Sequence, residues 1–245
     1  MQTLSLGNNK YFLLFVDDYS RMSWIYFISK KYQAFSFFQK FKVRVEKESR
    51  YYLKFLRTDQ GGENTSNEFK EFCNSHGIKK ELTTTYTPQQ NEVAERKNRT
   101  MVEMARCMLR EMCLPNMYWV DAIHSAIYIL NISSTKMVKD SNPYEAWFYR
   151  KPNVSHFKIF GSTCFVYIHG QQRQKLDGKY LRCVFIGYSK ESKAYRCHDP
   201  LTNRLHVSRY VIFTEGEAYF KNEGEVKVMN PHIEGLIFYN NDESL

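Results

Sequence analysis

The 245-residue sequence contains no run of 18 consecutive apolar residues, which excludes a long apolar membrane-spanning helix. Its start, Met1-Gln2-Thr3-Leu4-Ser5, has no basic segment followed by an apolar one, so no signal peptide is expected. The six cysteines, Cys73, Cys107, Cys113, Cys164, Cys183 and Cys197, form no C-x-x-C pair, and the seven histidines are scattered rather than set at finger-like spacing. A structural zinc site is therefore not expected, and unpaired cysteines without a secretion signal fit a reducing compartment. No internal repeat or low-complexity tract stands out. What the chain does have is apolar surface. Apolar residues make up 43% and aromatics 16%, with 18 Tyr and 18 Phe. That is enough to offset the entropy of ordering, so disorder is excluded as the main state. The length suits one large domain or two modest ones.

The net charge is +9, unevenly spread. After residue 213, two lysines stand against seven acids and leave −5, so the first 213 residues carry +14. A basic body with an acidic tail points to a polyanionic partner, most often nucleic acid.

Hydrophobic patterning places the elements. Tyr11 to Asp17 reads as a buried strand, and Ser23 to Ser29 as its hairpin partner across a turn at Asp18-Tyr19-Ser20-Arg21. Phe35, Phe38, Phe41 and Val45 lie at helical spacing within 32–48. Leu53 to Arg57 is a third strand that runs into Thr58-Asp59-Gln60-Gly61-Gly62-Glu63. Thr65 or Ser66 caps a helix that Gly77 stops, and Ile78 to Leu82 is a short strand. A polar loop centred on Pro88-Gln89-Gln90 precedes a long helix at about 91–112. Further helices are expected at 118–132 and from Pro143. From Phe157 the runs become short, evenly spaced and β-rich, the pattern of a small barrel. The expected fold is a mixed α/β domain over 1–152, a small all-β barrel over 153–218, and an acidic linker or tail over 219–245.

Three acids fall in informative places. Asp17 ends the first strand, Asp59 ends another before two glycines, and Glu95 lies in the first turns of the long helix. Phosphodiester chemistry needs charge neutralised on both the attacking and the leaving oxygen, which two divalent ions about 3.5–4 Å apart achieve. Mg²⁺ takes hard oxygen ligands, usually carboxylates with substrate phosphates and water. Taken singly, each acid is better explained as a turn former or as a helix-dipole partner than as a ligand.

The segments Phe15 to Arg21, Arg57 to Glu63 and Tyr86 to Asn91 through Ala94 to Thr100 resemble the integrase core of copia-type retrotransposons. Thirty-five residues separate Asp59 from Glu95, the spacing of the retroviral integrase superfamily. The resemblance continues through Leu114-Pro115, Trp119, Asn142 to Trp147 and Phe160-Gly161. It then covers Lys175-Leu176-Asp177, Phe185 to Tyr188 and Ser208 to Val211, which look like the Src-homology-3-like barrel that follows the core in these polyproteins.

The resemblance implies a ribonuclease-H-like core that carries out DNA 3′-end processing and strand transfer. Asp17, Asp59 and Glu95 match the catalytic, metal-binding carboxylates, with Mg²⁺ or Mn²⁺ in a two-metal site. Asp17 is preferred to Asp18, which is expected to form an Asx-type turn. The implied partners are double-stranded DNA, as element ends and target, and further copies of the chain. No membrane and no small-molecule substrate is expected. Synthesis would be cytoplasmic and the place of work the nucleus. Arg96, Lys97, Arg99 and Arg106 on the long helix are expected to contact DNA, Arg99 either so or paired with Glu95 or Glu103. Gln89, Gln90 and Asn91 are expected to contact it from the preceding loop.

Two departures from the family stand out. Its amino-terminal His/Cys zinc module is not seen, and Met1 falls inside what is normally continuous polyprotein, so a fragment or a shortened element is expected. Where the family usually has Gly after Gln-Asn, this chain has Glu92, which either adds negative charge beside the metal site or stabilises the helix start. The competing readings are an integrase-derived DNA-binding or interaction module that no longer cuts, and a decayed element.

Overall fold

A computed structural model describes residues 3–58, 66–82, 92–169, 178–189, 192–220 and 235–240, the last six and Leu82 by backbone alone. Contacts divide the chain into two units. The first comprises 1–102, 127–152 and 231–245, and the second 103–126 and 153–230.

The first unit is built on a mixed sheet. Strand β1 (Tyr11–Asp17) is buried along nearly its whole length, as its unbroken apolar run requires. It pairs antiparallel with β2 (Ser23–Ile28), giving the expected hairpin. Helix α1 (Ala34–Ser49) follows a single 3₁₀ turn at Lys31–Gln33. Its buried residues Ala34, Phe38, Phe41, Lys42 and Val45 recur every three or four positions, which puts them on one face. Phe41 stacks on Phe15 of β1 at 4.0 Å between ring centroids. Strand β3 (Phe55–Thr58) and strand β4 (Lys79–Leu82) run parallel, joined through helix α2 (Asn67–Ser75). Ser66 caps α2, its hydroxyl oxygen accepting the Phe69 N–H at 3.2 Å. Gly77, with φ at +66°, ends it as expected.

Helix α3 (Glu92–Glu111) is the long helix, and helix α4 (Trp119–Ile132) follows a 3₁₀ turn at Asn116–Tyr118. The carboxy-terminal part of α4 is fixed to the hairpin. The Ser23 N–H donates to Asn131 Oδ1 at 3.0 Å, and Asn131 Nδ2 donates back to the Ser23 carbonyl at 2.7 Å. Helix α5 (Pro143–Phe148) starts with a reciprocal capping box between Asn142 and Glu145. Trp147 meets Trp24 edge-on at 4.8 Å.

The second unit holds an antiparallel sheet of β5 (Ser162–Tyr167), β6 (Tyr180–Tyr188), β7 (Tyr195–Asp199), β8 (Arg204–Ser208) and β9 (Val211–Ala218), ordered β8-β7-β6-β5-β9. Cys164, Val166, Cys183, Phe185 and Cys197 form its core, and these buried thiols act as small apolar groups.

Two expectations need correction. The stretch 219–245, expected to be a linker or tail, contains strand β10 (Gly235–Asn240), and the first sheet runs β2-β1-β10-β3-β4. The five apolar or aromatic positions of Gly-Leu-Ile-Phe-Tyr are a strand-length run that the surrounding acids obscured. The boundary also differs from 152/153, because 103–126 belongs with the barrel. The reason is local. A Cβ on Gly161 would stand 2.7 Å from Met112 Cβ, so the chain before α4 lies against the first barrel turn.

Candidate active site and nucleic-acid face

Asp17 closes β1 and is 6% exposed. Its Oδ2 accepts the Ser20 N–H at 2.7 Å and the Ser20 hydroxyl at 2.6 Å. Asp17 therefore forms the side-chain turn that was expected of Asp18. Asp18 instead pairs with Arg21, whose φ of +60° closes the loop.

Sheet direction decides what Asp17 can meet. Strand β10 runs parallel to β1 and antiparallel to β3, so β1 and β3 point opposite ways. In the register, Phe15 faces Phe238, which faces Thr58. Thr58, the residue before Asp59, thus stands two strands across from β1 and two residues short of Asp17. With strands about 4.8 Å apart and a rise of about 3.3 Å per residue, that is roughly 12 Å between Cα atoms. Asp17 lines a cleft with Leu53, which precedes β3 rather than following it. Asp59 itself lies outside the described residues, as do Gln89, Gln90 and Asn91.

Glu95 lies in the first turn of α3 and is exposed. Glu92, one turn earlier, pairs with Arg96 across i, i+4, so its charge is matched on the helix surface rather than left single. Arg99 is exposed, and among the described residues no ion pair joins it to Glu95 or Glu103. Lys97 is half-buried. Burial, with Arg21 as a nearby cation, lowers its pKa to about 8. Arg106 is half-buried and offers less surface to a polyanion than Arg96 or Arg99. Among the described residues no group of three His, Cys, Asp or Glu could hold a metal ion. Glu95 has the hard oxygen that Mg²⁺ takes, but the described residues do not assemble a metal site by themselves.

Sequence reasoning missed a buried polar network in the second unit. Asp121, in the first turn of α4 and 3% exposed, stands 3.0 Å from Arg196 Nη1 on β7. The Tyr118 hydroxyl meets His198 Nδ1 at 2.8 Å, and His198 Nε2 meets Asn203 Oδ1 at 3.0 Å. Burial raises the Tyr118 phenol and lowers the His198 imidazole. Neither pairing follows from local spacing, since Tyr118 and His198 are 80 positions apart.

Comparison with known proteins places this architecture. Residues 3–88 match the integrase core domain, and residues 162–227 match the retroviral polymerase SH3-like domain. The chain belongs to the integrase-core family, with a ribonuclease-H-like core followed by an SH3-like barrel, in the form found in copia-type retrotransposon Pol polyproteins. It is 44% identical, over 97% of its length, to the retrovirus-related Pol polyprotein from transposon TNT 1-94 of Nicotiana tabacum, and spans 18% of that protein. It is 34% identical, over 86% of its length, to the Pol polyprotein from transposon RE2 of Arabidopsis thaliana, spanning 14% of it. The chain thus covers less than a fifth of these relatives. Among solved structures it is similar to a simian T-cell lymphotropic virus intasome in complex with PP2A regulatory subunit B56 gamma, at 14% identity and a TM-score of 0.45, covering 82% of this chain and 70% of that one. It is also similar to the HTLV-2 integrase catalytic core domain in complex with magnesium, at 22% identity and a TM-score of 0.41, covering 54% and 80%.

Proposed function

We propose that this chain is the strand-transfer core of an integrase. In this reading a water or a DNA 3′-hydroxyl attacks a phosphodiester, and the leaving 3′-oxygen takes the proton. The observation that carries it is Glu95, exposed in the first turn of α3 beside exposed Arg96 and Arg99, in a chain whose residues 3–88 match an integrase core. Asp59 and Glu95 are assigned as the metal-binding carboxylates, and Asp17 to the β1–β2 turn. The divalent metal, when bound, would neutralise charge on the attacking and leaving oxygens. The basic residues of α3 hold backbone phosphates, which give affinity without sequence choice. The partner is duplex DNA, the working form a multimer, and the place of work the nucleus.

A second reading, a module that binds DNA without joining it, is favoured by one observation: β1 and β3 run in opposite directions, so Asp17 does not share an edge with the end of β3. The test uses a labelled duplex bearing the element's terminal sequence with Mn²⁺ or Mg²⁺. Strand joining by the parent chain that falls about 100-fold or more in Asp59→Asn and in Glu95→Gln supports the first reading. Equal DNA binding by all three with no product supports the second. Glu92→Gly restores product if Glu92 is the lesion.

A further inference from the structure

The first unit carries a cleft that the integrase reading does not use. It lies at the Asp17 end of β1, has a volume of about 590 Å³, and is lined from the β1–β2 turn, the end of α1 and the end of α5. Clefts of this size fall within the usual range for bound ligands, about 300–1,000 Å³. Four tyrosines stand on it and point largely to solvent: Tyr19 at 76% exposure, Tyr51 at 69%, Tyr52 at 82% and Tyr149 at 84%. Tyrosine seldom leaves so much ring uncovered in several copies at one place without a partner for it.

Charge identifies the partner. Two acids line the cleft, each engaged through one oxygen. Asp17 accepts two hydrogen bonds from Ser20, and Glu48 Oε1 accepts from Arg44 Nε at 2.6 Å. The cations are outward. Arg50 lines the cleft, and Lys47, Lys54 and Arg150, each adjacent in sequence to a lining residue, are exposed, Arg150 donating to the Tyr144 hydroxyl at 3.1 Å. Open aromatic faces with a cationic rim are the two components of single-strand recognition. Bases stack on the rings while phosphates follow the charges. A duplex cannot use such rings, because its bases already stack on one another.

We propose that this cleft binds single-stranded nucleic acid, with bases stacked on Tyr51, Tyr52 and Tyr149 and the backbone held by Arg50 and its neighbouring cations. Glu95, assigned above to strand transfer, is not among the residues that line it.

The test is binding of the full chain to a fluorescent oligo(dT) 12-mer without divalent metal, read by anisotropy. It is compared with an abasic strand of equal length and charge. Tyr52→Ser/Tyr149→Ser removes two exposed rings and no core packing, and an unchanged thermal midpoint confirms its fold. The expected result is about tenfold or greater loss of oligo(dT) affinity in the double variant, with abasic binding by the parent already at that lower level. In Arg50→Gln, the slope of log affinity against log salt should fall by about 0.7 for one lost phosphate contact on a single strand. Equal affinity of the parent chain for both strands, or no loss in the tyrosine variant, overturns the proposal and leaves a protein partner as the cleft's occupant. Because no metal is present, a failure of strand joining leaves this result untouched.

Discussion

Asp121 is the most informative titratable group in the second unit. Its carboxylate is buried beside Arg196, and burial outweighs the guanidinium, pushing its pKa from 3.8 up to about 6. A folded pKa above the unfolded one means that the folded state holds the proton more tightly. The neutral acid is therefore the favoured folded form, and stability falls as pH rises from about 4 to about 6. At 1.36 kcal/mol per pH unit, that displacement amounts to about 3 kcal/mol. This is a sizeable part of the 5–15 kcal/mol typical of a domain. Asp121→Asn keeps the shape and removes the titration. It also leaves Arg196 without its carboxylate, but the guanidinium remains charged throughout this range. That cost is therefore a constant offset, and Arg196, 28% exposed, can draw on water. The measurement is urea unfolding of both proteins at several pH values between 4 and 7. The parent should lose about 2 kcal/mol relative to the variant across that interval, since the unfolded carboxyl is already partly ionised at pH 4. Parallel curves would refute the reasoning, because they would mean that Asp121 carries the same proton affinity folded and unfolded.

Other consequences of the packing are direct. Gly161→Ala forces a side chain onto φ +84° with its Cβ 2.7–2.9 Å from Met112 and Leu114 atoms. Strain and overpacking together should cost about 2–5 kcal/mol, read as a lower thermal midpoint. Phe38→Ala empties a fully buried position between Phe15 and Phe69 and should cost about 3–5 kcal/mol in denaturant unfolding. Burial pushes the Cys183 thiol up to about 12, whereas Cys107 is exposed. In the folded chain at pH 8, iodoacetamide should therefore modify Cys107 first and leave Cys183 intact, as peptide mass mapping would show.

Much of the fold was legible because its elements carry their own punctuation. The apolar run of β1, the Phe38-Phe41-Val45 face of α1, the Ser66 cap, Gly77 and Pro143 are local signals, and each element formed where those signals lie. What was not legible depends on distant partners. Nothing near Tyr118 or Asp121 announces His198 or Arg196, and nothing near Gly235 announces β1. The acidic composition around β10 masked a strand-length apolar run, because average charge says little about a six-residue segment. At the candidate site, the sequence supplied the residue types and their spacing. It did not supply strand direction, and direction determines which ends of a sheet meet.

Direction bears most on Asp17. Its Oδ2 holds the Ser20 N–H and hydroxyl, and Ser20 is fully buried, so neither group has water as a substitute. Asp17→Ala should leave both donors unsatisfied and cost about 1–3 kcal/mol of stability. In Asp17→Asn the amide oxygen can accept the same two bonds, so the fold should be nearly as stable as the parent's. A metal carboxylate would behave in the opposite way, since Asn keeps the shape and loses the charge that holds the cation. The comparison therefore separates the roles. If Asp17 belongs to the turn, Asp17→Asn joins strands at the parental rate per folded molecule while Asp59→Asn and Glu95→Gln do not. If Asp17→Asn abolishes joining at an unchanged thermal midpoint, Asp17 is a ligand after all. The sheet would then have to bring the end of β1 to the end of β3, which the placement of β10 between them prevents.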